Sequence, residues 1–273
     1  MTETKKRIFL WVSIALLVQV LITVLVLGLV LSGPETPEEA QVPTTQAATF
    51  PQPEKNPFSP EDFTYENGFL TCTAAPSILG IDVSTHQKQV DWQQVKDAGI
   101  EFVMIRLGYR GTEQGGLYPD ELYQQHYEGA RAVGLKIGAY FFSQAICPEE
   151  AVEEAEFALS LAENWHLDMP LVYDWELVGA NSRAAGITPQ TLTDCVNAFC
   201  QRVESAGHTP MVYFNADQAR EMLYLDQLLS YPYWLALYRD EMTFEYRVDM
   251  WQYTQTGTVP GIEGNVDIDL YFP

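Results

Sequence analysis

One long run of apolar positions opens the chain, and short ones recur through the rest of it. From Ile8 to Leu31 no charged residue occurs, and as a helix that run reaches about 36 Å, enough to cross a hydrocarbon core. Ser32 to Pro60 then carries seven prolines among Thr, Gln and Glu, a composition that builds no core and reads as an extended spacer. Asn67-Gly68 between short apolar runs marks a hairpin leading into the main domain.

From Leu79 onward two periods alternate. Buried strands are expected at Ile81-Asp82, Phe102 to Arg106, Lys136 to Phe142, Leu171 to Asp174 and Met211 to Phe214. Helical patterns separate them: Asp91 to Gly99 with Asp91 as N-cap, Asp120 to Gly134, Pro148 to about Glu163, Thr188-Pro189 to Gly207 with Pro at the first helical position, and Ala216 to Leu229. Three further runs, Tyr233 to Leu237, Val248 to Tyr253 and Val266 to Tyr271, leave little room for long helices. Alternating units imply a parallel sheet, and eight strands imply closure: an α/β fold, a modified TIM-like (β/α)5(β)3 barrel. The expected organisation is a cytoplasmic N-terminus over 1–7, a transmembrane helix over 8–31, a Pro-rich linker over 32–60, a hairpin-like lead-in over 61–78 and the barrel over 79–273.

Charge orients this arrangement. Lys5, Lys6 and Arg7 precede the apolar run and Glu35, Glu38 and Glu39 follow it, so the positive-inside rule places the N-terminus in the cytoplasm and the barrel outside. A secreted form after signal cleavage is the alternative, but a signal's apolar region spans only about 7 to 15 residues, and no A-x-A site follows at once. With 15 Lys+Arg against 37 Asp+Glu, a formal charge of -22, nucleic acid is excluded as a partner. The membrane enters only through the N-terminal helix. Cys72, Cys147, Cys195 and Cys200 allow three pairings. Cys195 shares an apolar helical face with Leu192, Val196, Phe199 and Val203, which suits a buried free thiol, and Cys195 and Cys200 point apart. His86, His126, His166 and His208 are scattered and read as solvated or packing residues.

Candidate chemistry follows from where barrels keep their sites, at the C-terminal ends of the strands. The fourth strand ends in Tyr173-Asp174-Trp175-Glu176, and side chains at i and i+2 share a face. Two convergent acids push each other's proton affinities apart, as glycoside cleavage requires. The first strand supplies Asp82, and the last supplies Asp267 and Asp269, so four or five acids ring one mouth. Tyr109, Tyr140, Tyr213, Trp234, Tyr238 and Trp251 lie near the same ends and offer rings for sugars. Tyr140, Tyr213, Trp234 and Tyr109, with Arg106, form the candidate substrate-binding set, although Tyr140 and Trp234 lie inside apolar runs and their role rests on analogy.

Gly80-Ile81-Asp82-Val83-Ser84, Tyr173-Asp174-Trp175-Glu176, and Trp251-Gln252-Tyr253 followed by Asn265-Val266-Asp267 resemble the glycoside hydrolase family 25 lysozymes over about Leu79 to Phe272. The resemblance implies cleavage of the β-1,4 bond between N-acetylmuramic acid and N-acetylglucosamine in peptidoglycan glycan strands. It implies Glu176 as proton donor, Asp174 as its carboxylate partner, and Asp82 and Asp267 as flanking acids. Phe141 departs from the pattern, since many members carry histidine there; the expectation is an altered subsite with the acids intact. No cofactor and no metal are expected, and the catalytic domain is expected to be monomeric. Two rival readings are a catalytically silent glycan-binding barrel and a barrel acting on chitin-like polymers.

Overall fold

The computed structural model describes residues 17–22 and 51–273. The chain divides into two units, 1–49 and 50–273. In the first, residues 17–22 are helical (α1) and exposed. The remainder of the span expected over 8–31, and the spacer up to residue 50, lie outside the described residues. Among the described residues no helix is long and apolar enough to cross a membrane.

The second unit opens with residues that lie along the barrel rather than away from it. Lys55 bridges to Tyr246, and the Asn56 amide donates to the Glu245 carbonyl at 3.0 Å. The end of the proline-rich stretch expected as linker is therefore docked, because alternating polar residues between its prolines retain amides that pair with a free backbone edge. The hairpin follows as β1 (Phe63–Glu66) and β2 (Phe69–Cys72). Its turn residues Asn67 and Gly68 both hold positive φ, +52° and +89°, which few other residue pairs adopt without strain.

Eight strands then close into a barrel: β3 (Ile78–Val83), β4 (Phe102–Arg110), β6 (Lys136–Ser143), β7 (Leu171–Trp175), β8 (Pro210–Asn215), β9 (Tyr233–Ala236), β10 (Met250–Gly257) and β11 (Val266–Tyr271). Seven run parallel to one another. The last, β11, is antiparallel to both β10 and β3. A short strand missed in the sequence, β5 (Leu117–Pro119), pairs antiparallel with the end of β4. Helices α2 (Trp92–Asp97), α3 (Tyr123–Ala132), α4 (Pro148–Leu161), α5 (Pro189–Ser205) and α6 (Ala216–Glu221) follow the first five parallel barrel strands.

Local chemistry accounts for most boundaries. Asp91 caps α2 through the Gln94 amide at 3.2 Å, and Thr188 caps α5 ahead of Pro189. Two helices are shorter than their patterns suggested. Asp120 does not begin α3, because its carboxylate is taken by Arg106 and by the Thr85 and Leu122 amides. The helix expected to Leu229 stops at Glu221, where the Tyr224 amide turns to the Thr193 hydroxyl of α5 at 3.0 Å.

Alternation sorts side chains into two cores. Outward positions such as Ile81, Val103, Phe141, Tyr173, Val212, Leu235, Trp251 and Ile268 pack under the helices. Inward positions Phe102, Met104, Val172, Met211, Trp234 and Met250 plug the lumen. Gly80 makes that plug possible: a Cβ there would lie 2.2 Å from the Phe102 ring. The plug supports a floor, and polar residues occupy the layer above it. All four cysteines are free thiols, with Cys195 and Cys200 buried on α5; the apolar face of that helix suggested this for Cys195.

Candidate active site

Above the plug lies a cavity of about 320 Å³ lined by Asp82, Asp174, Glu176, Asp267, Arg106, Tyr140, Tyr213, Trp234 and Tyr238, with Ser84, His86, Gln87, Phe142, Gln252 and Gln255. A larger hollow of about 540 Å³ lies beside Pro53, Tyr231 and Arg247 near the N-terminal ends of β9 and β10. It holds Asp249 and a glutamate, Glu54, already paired with Arg247 at 3.1 Å. Only the smaller cavity gathers acids from separate strands, so the chemistry is placed there.

Each strand delivers its acid by the same two-residue period. Val172 and Asp174 face the lumen on β7, and Glu176 continues the row one residue past the strand. Asp82 tops β3 and stands directly opposite Asp267 in the β3–β11 register. Because β11 is antiparallel, Asp267 reaches the mouth from the start of its strand, not from its C-terminal end as read from the sequence. Asp269, two residues on, lies deeper, fully buried, and accepts from Trp234 Nε1 at 2.9 Å. It therefore belongs to the floor and does not line the cavity.

A hydrogen-bond chain links the walls. Gln252 Nε2 donates to Asp82 Oδ2 at 2.7 Å, and Gln252 Oε1 accepts from the Tyr213 hydroxyl at 3.1 Å and the Tyr238 hydroxyl at 3.0 Å. Arg106 grips Asp120 through Nε at 2.9 Å and a terminal nitrogen at 2.7 Å, which fixes the guanidinium at the rim. Asp174 Oδ1 is buried without a hydrogen-bond partner in the protein.

Burial dominates the electrostatics. It raises the carboxyl of Asp174 well above the usual range; the Glu176 charge adds to the rise and Arg106 opposes it. It also raises Glu176. Burial lifts Asp82 well above its ordinary value, with repulsion from Asp267 and Asp269 added and the Gln252 bond opposing. Asp267 is pushed up to about 6, by burial first and by Glu176 second. The site thus retains protons at a pH where isolated carboxyls have lost theirs. It offers a general acid beside further carboxylates and a row of rings and hydroxyls that fit a sugar. Among the described residues no group of three or more His, Cys, Asp and Glu is arranged to hold a metal ion.

The structure brings together Asp82, Asp174, Glu176, Asp267, Tyr140, Tyr213, Trp234 and Arg106. Tyr109 does not line the cavity: it stacks on Tyr118 of β5, centroids 5.5 Å apart, with the Arg106 guanidinium 5.7 Å from its ring. Trp251 faces outward, edge-on to Phe63, with Nε1 donating to the Leu237 carbonyl at 2.8 Å. Phe141 also faces outward, edge-on to Phe157, so its departure from the family pattern leaves the cavity lining unchanged. His86, read from the sequence as a solvated or packing residue, lines the cavity, as does Gln252, which was given no role there. Gln252 was findable, since a glutamine between outward Trp251 and Tyr253 must face the lumen.

Comparison with known proteins adds an independent line. The family model for glycosyl hydrolases family 25 matches residues 81–262. The autolytic lysozyme of Clostridium acetobutylicum is 29% identical over 197 residues, covering 70% of this chain and 55% of that protein. The modular autolysin LytC of Streptococcus pneumoniae, solved with a synthetic peptidoglycan ligand, superposes with a TM-score of 0.67 at 25% identity, covering 77% of this chain and 50% of that one. The bacterial lysozyme of Streptomyces coelicolor shares the fold, with a TM-score of 0.58 at 24% identity over 72% of this chain and 92% of its own. The chain thus spans about half the length of the first two.

Proposed function

The chain belongs to glycosyl hydrolase family 25, and from that premise we propose that it is a peptidoglycan muramidase whose proton donor is Glu176 and whose partner carboxylate is Asp174. The observation that carries this reading is the pair itself: two acids two residues apart, on one face at the end of β7, both raised by burial in a cavity shared with Asp82 and Asp267. A general acid must hold its proton until the leaving oxygen needs it, and burial moves the Glu176 carboxyl in that direction; Asp174 is raised as well, in part by the Glu176 charge, so the pair shares a proton that has to sit on Glu176 when the leaving oxygen is engaged. Glu176 protonates the glycosidic oxygen between N-acetylmuramic acid and N-acetylglucosamine, then accepts a proton from the incoming water. Asp174 stabilises the oxocarbenium-like state or orients the substrate's 2-acetamido group. Asp82 and Asp267 flank the reacting ring, with Asp82 held by Gln252.

The uncharged run Ile8 to Leu31 and its basic flank support a single-pass anchor with the barrel outside the membrane, acting as a monomer on wall glycan. Fractionation tests it: the mature protein is expected with the membranes, and a soluble form beginning after Leu31 would overturn the anchor. The activity is tested by digesting purified peptidoglycan and chitin side by side, with mass spectrometry of the new reducing ends. Muramic acid ends are expected from peptidoglycan. Ends from chitin alone, or none from either, would favour the chitin-like or the silent barrel.

A further inference from the structure

Glu176 lies one residue beyond the sheet. The β6–β7 ladder ends at Ser143 opposite Trp175, and the β7–β8 ladder ends at Asp174 opposite Tyr213. The strand therefore fixes Asp174 but not Glu176, which opens an exposed segment: Leu177 and Val178 are more than half exposed. A group that must place a proton to within a fraction of an ångström needs support from elsewhere.

That support comes from Gln144, which follows β6 and is fully buried. Its Nε2 donates to the Glu176 carbonyl at 2.8 Å and to the Ser143 carbonyl at 2.8 Å. Both partners are acceptors, so the amide cannot turn over without setting oxygen against oxygen. Its Oε1 is left buried and without a partner, a cost that an apolar side chain of the same size would avoid. The backbone of Gln144 grips the other end of the same segment, because its carbonyl accepts from Arg183 at 2.7 Å. Arg183 in turn forms a bidentate pair with Glu150 of α4, both contacts 2.6 Å. Residues 176 to 183 are thus tied at both ends to one residue. Behind it the Gln144 backbone N–H donates to Glu154 at 3.3 Å, and Arg110 and Ser143 hold that carboxyl at 2.7 and 2.6 Å.

We propose that Gln144 is a positioning residue for Glu176, holding the backbone of the proton donor through the side-chain amide while Arg183 closes the segment from its far end. The inference rests on the reading of Glu176 as proton donor.

The test measures kcat, KM and the pH profile of kcat on a soluble peptidoglycan glycan for the parent, Gln144→Met, Arg183→Met and Glu176→Gln, with thermal unfolding as control. Gln144→Met keeps the volume and removes the donor. Its kcat is expected to fall about 10-fold or more with KM little changed, as for loss of alignment rather than of binding. Release of the segment also hydrates Glu176, so the basic limb should move to lower pH. Glu154, which burial pushes up to about 7, stands behind Gln144 with Arg110, Glu150 and Arg183, so the limb is read as a difference between variant and parent. Arg183→Met should shift both quantities in the same direction by a smaller factor. A folded Gln144→Met with parental kcat and limb would overturn the proposal; if that variant does not fold, a parental Arg183→Met does so instead. Should Glu176→Gln keep activity, it is the proton-donor reading that fails, whatever Gln144 does.

Discussion

Gln252 and Asp82 meet across the barrel mouth, with Nε2 of the amide 2.7 Å from Oδ2 of the carboxyl. The same amide accepts from Tyr213 and Tyr238, so one side chain sets the orientation of an acid and two rings. Replacement by leucine leaves Asp82 without its donor and two hydroxyls without their acceptor. The expected loss in kcat is on the order of 10-fold to 100-fold, the range of a lost preorganised donor. Steady-state kinetics on peptidoglycan decide it; equal activity of Gln252→Leu and parent would show that the network is idle.

The acid pair carries the larger expectation. Glu176→Gln preserves shape and removes the transferable proton, so turnover should fall on the order of 100-fold or more. Asp174→Asn should also cripple kcat, through lost stabilisation of the transition state rather than lost affinity. Asp82→Asn and Asp267→Asn should do less harm. Circular dichroism on each variant separates chemistry from folding, and a folded Glu176→Gln with near-parental turnover removes the assignment.

Most of this site was legible because barrel geometry converts a period of two into a direction. Asp82, Asp174 and Glu176 follow from where apolar runs end and Tyr213 from lying near such an end, whereas Tyr140 and Trp234 lie inside apolar runs and were placed by analogy. What was not legible depends on partners distant in sequence. The reversal of β11 puts Asp267 at the mouth and Asp269 beneath it, and nothing in the spacing of those two acids gives the strand's direction. Asp120 reads as a helix start, yet Arg106 and the Thr85 amide claim its carboxylate. Tyr109 is taken up by Tyr118 of β5, a short strand that the hydrophobic pattern did not reveal.

Phe141 gives a check on direction. It is fully buried under α4 and meets Phe157 with centroids 6.2 Å apart, on the far side of the strand from the cavity. Phe141→His should lower stability by about 1–3 kcal/mol, the cost of a buried polar group without a partner, while kcat of the folded protein stays parental. Chemical denaturation and kinetics together make the measurement. A change in kcat with unchanged stability would place that side chain in the site after all.

The last expectation concerns stability, because the floor of the site holds an acid the chemistry does not use. Asp269 is buried, one oxygen on Trp234 and the other without a partner. Burial raises its carboxyl well above the ordinary range and Asp267 adds to the rise, while the Trp234 bond opposes it. A raised folded value means that the native state binds the proton more tightly than the unfolded chain does. The stabilisation is then complete below the unfolded value, about 4, and is lost as pH rises through the folded one. Asp267, pushed up to about 6, acts in the same direction. Asp269→Asn mimics the protonated form at every pH, so its thermal midpoint should exceed the parent's at pH 7.5 and converge on it toward pH 4. Glu150 and Glu245, held low first by Arg183 and Arg220 respectively, lose their contribution at acid pH in both proteins and cancel in the comparison. Midpoints measured across that range decide the matter: a parent more stable than Asp269→Asn at pH 7.5, or a gap that does not change with pH, would mean that Asp269 stays ionised in its buried place.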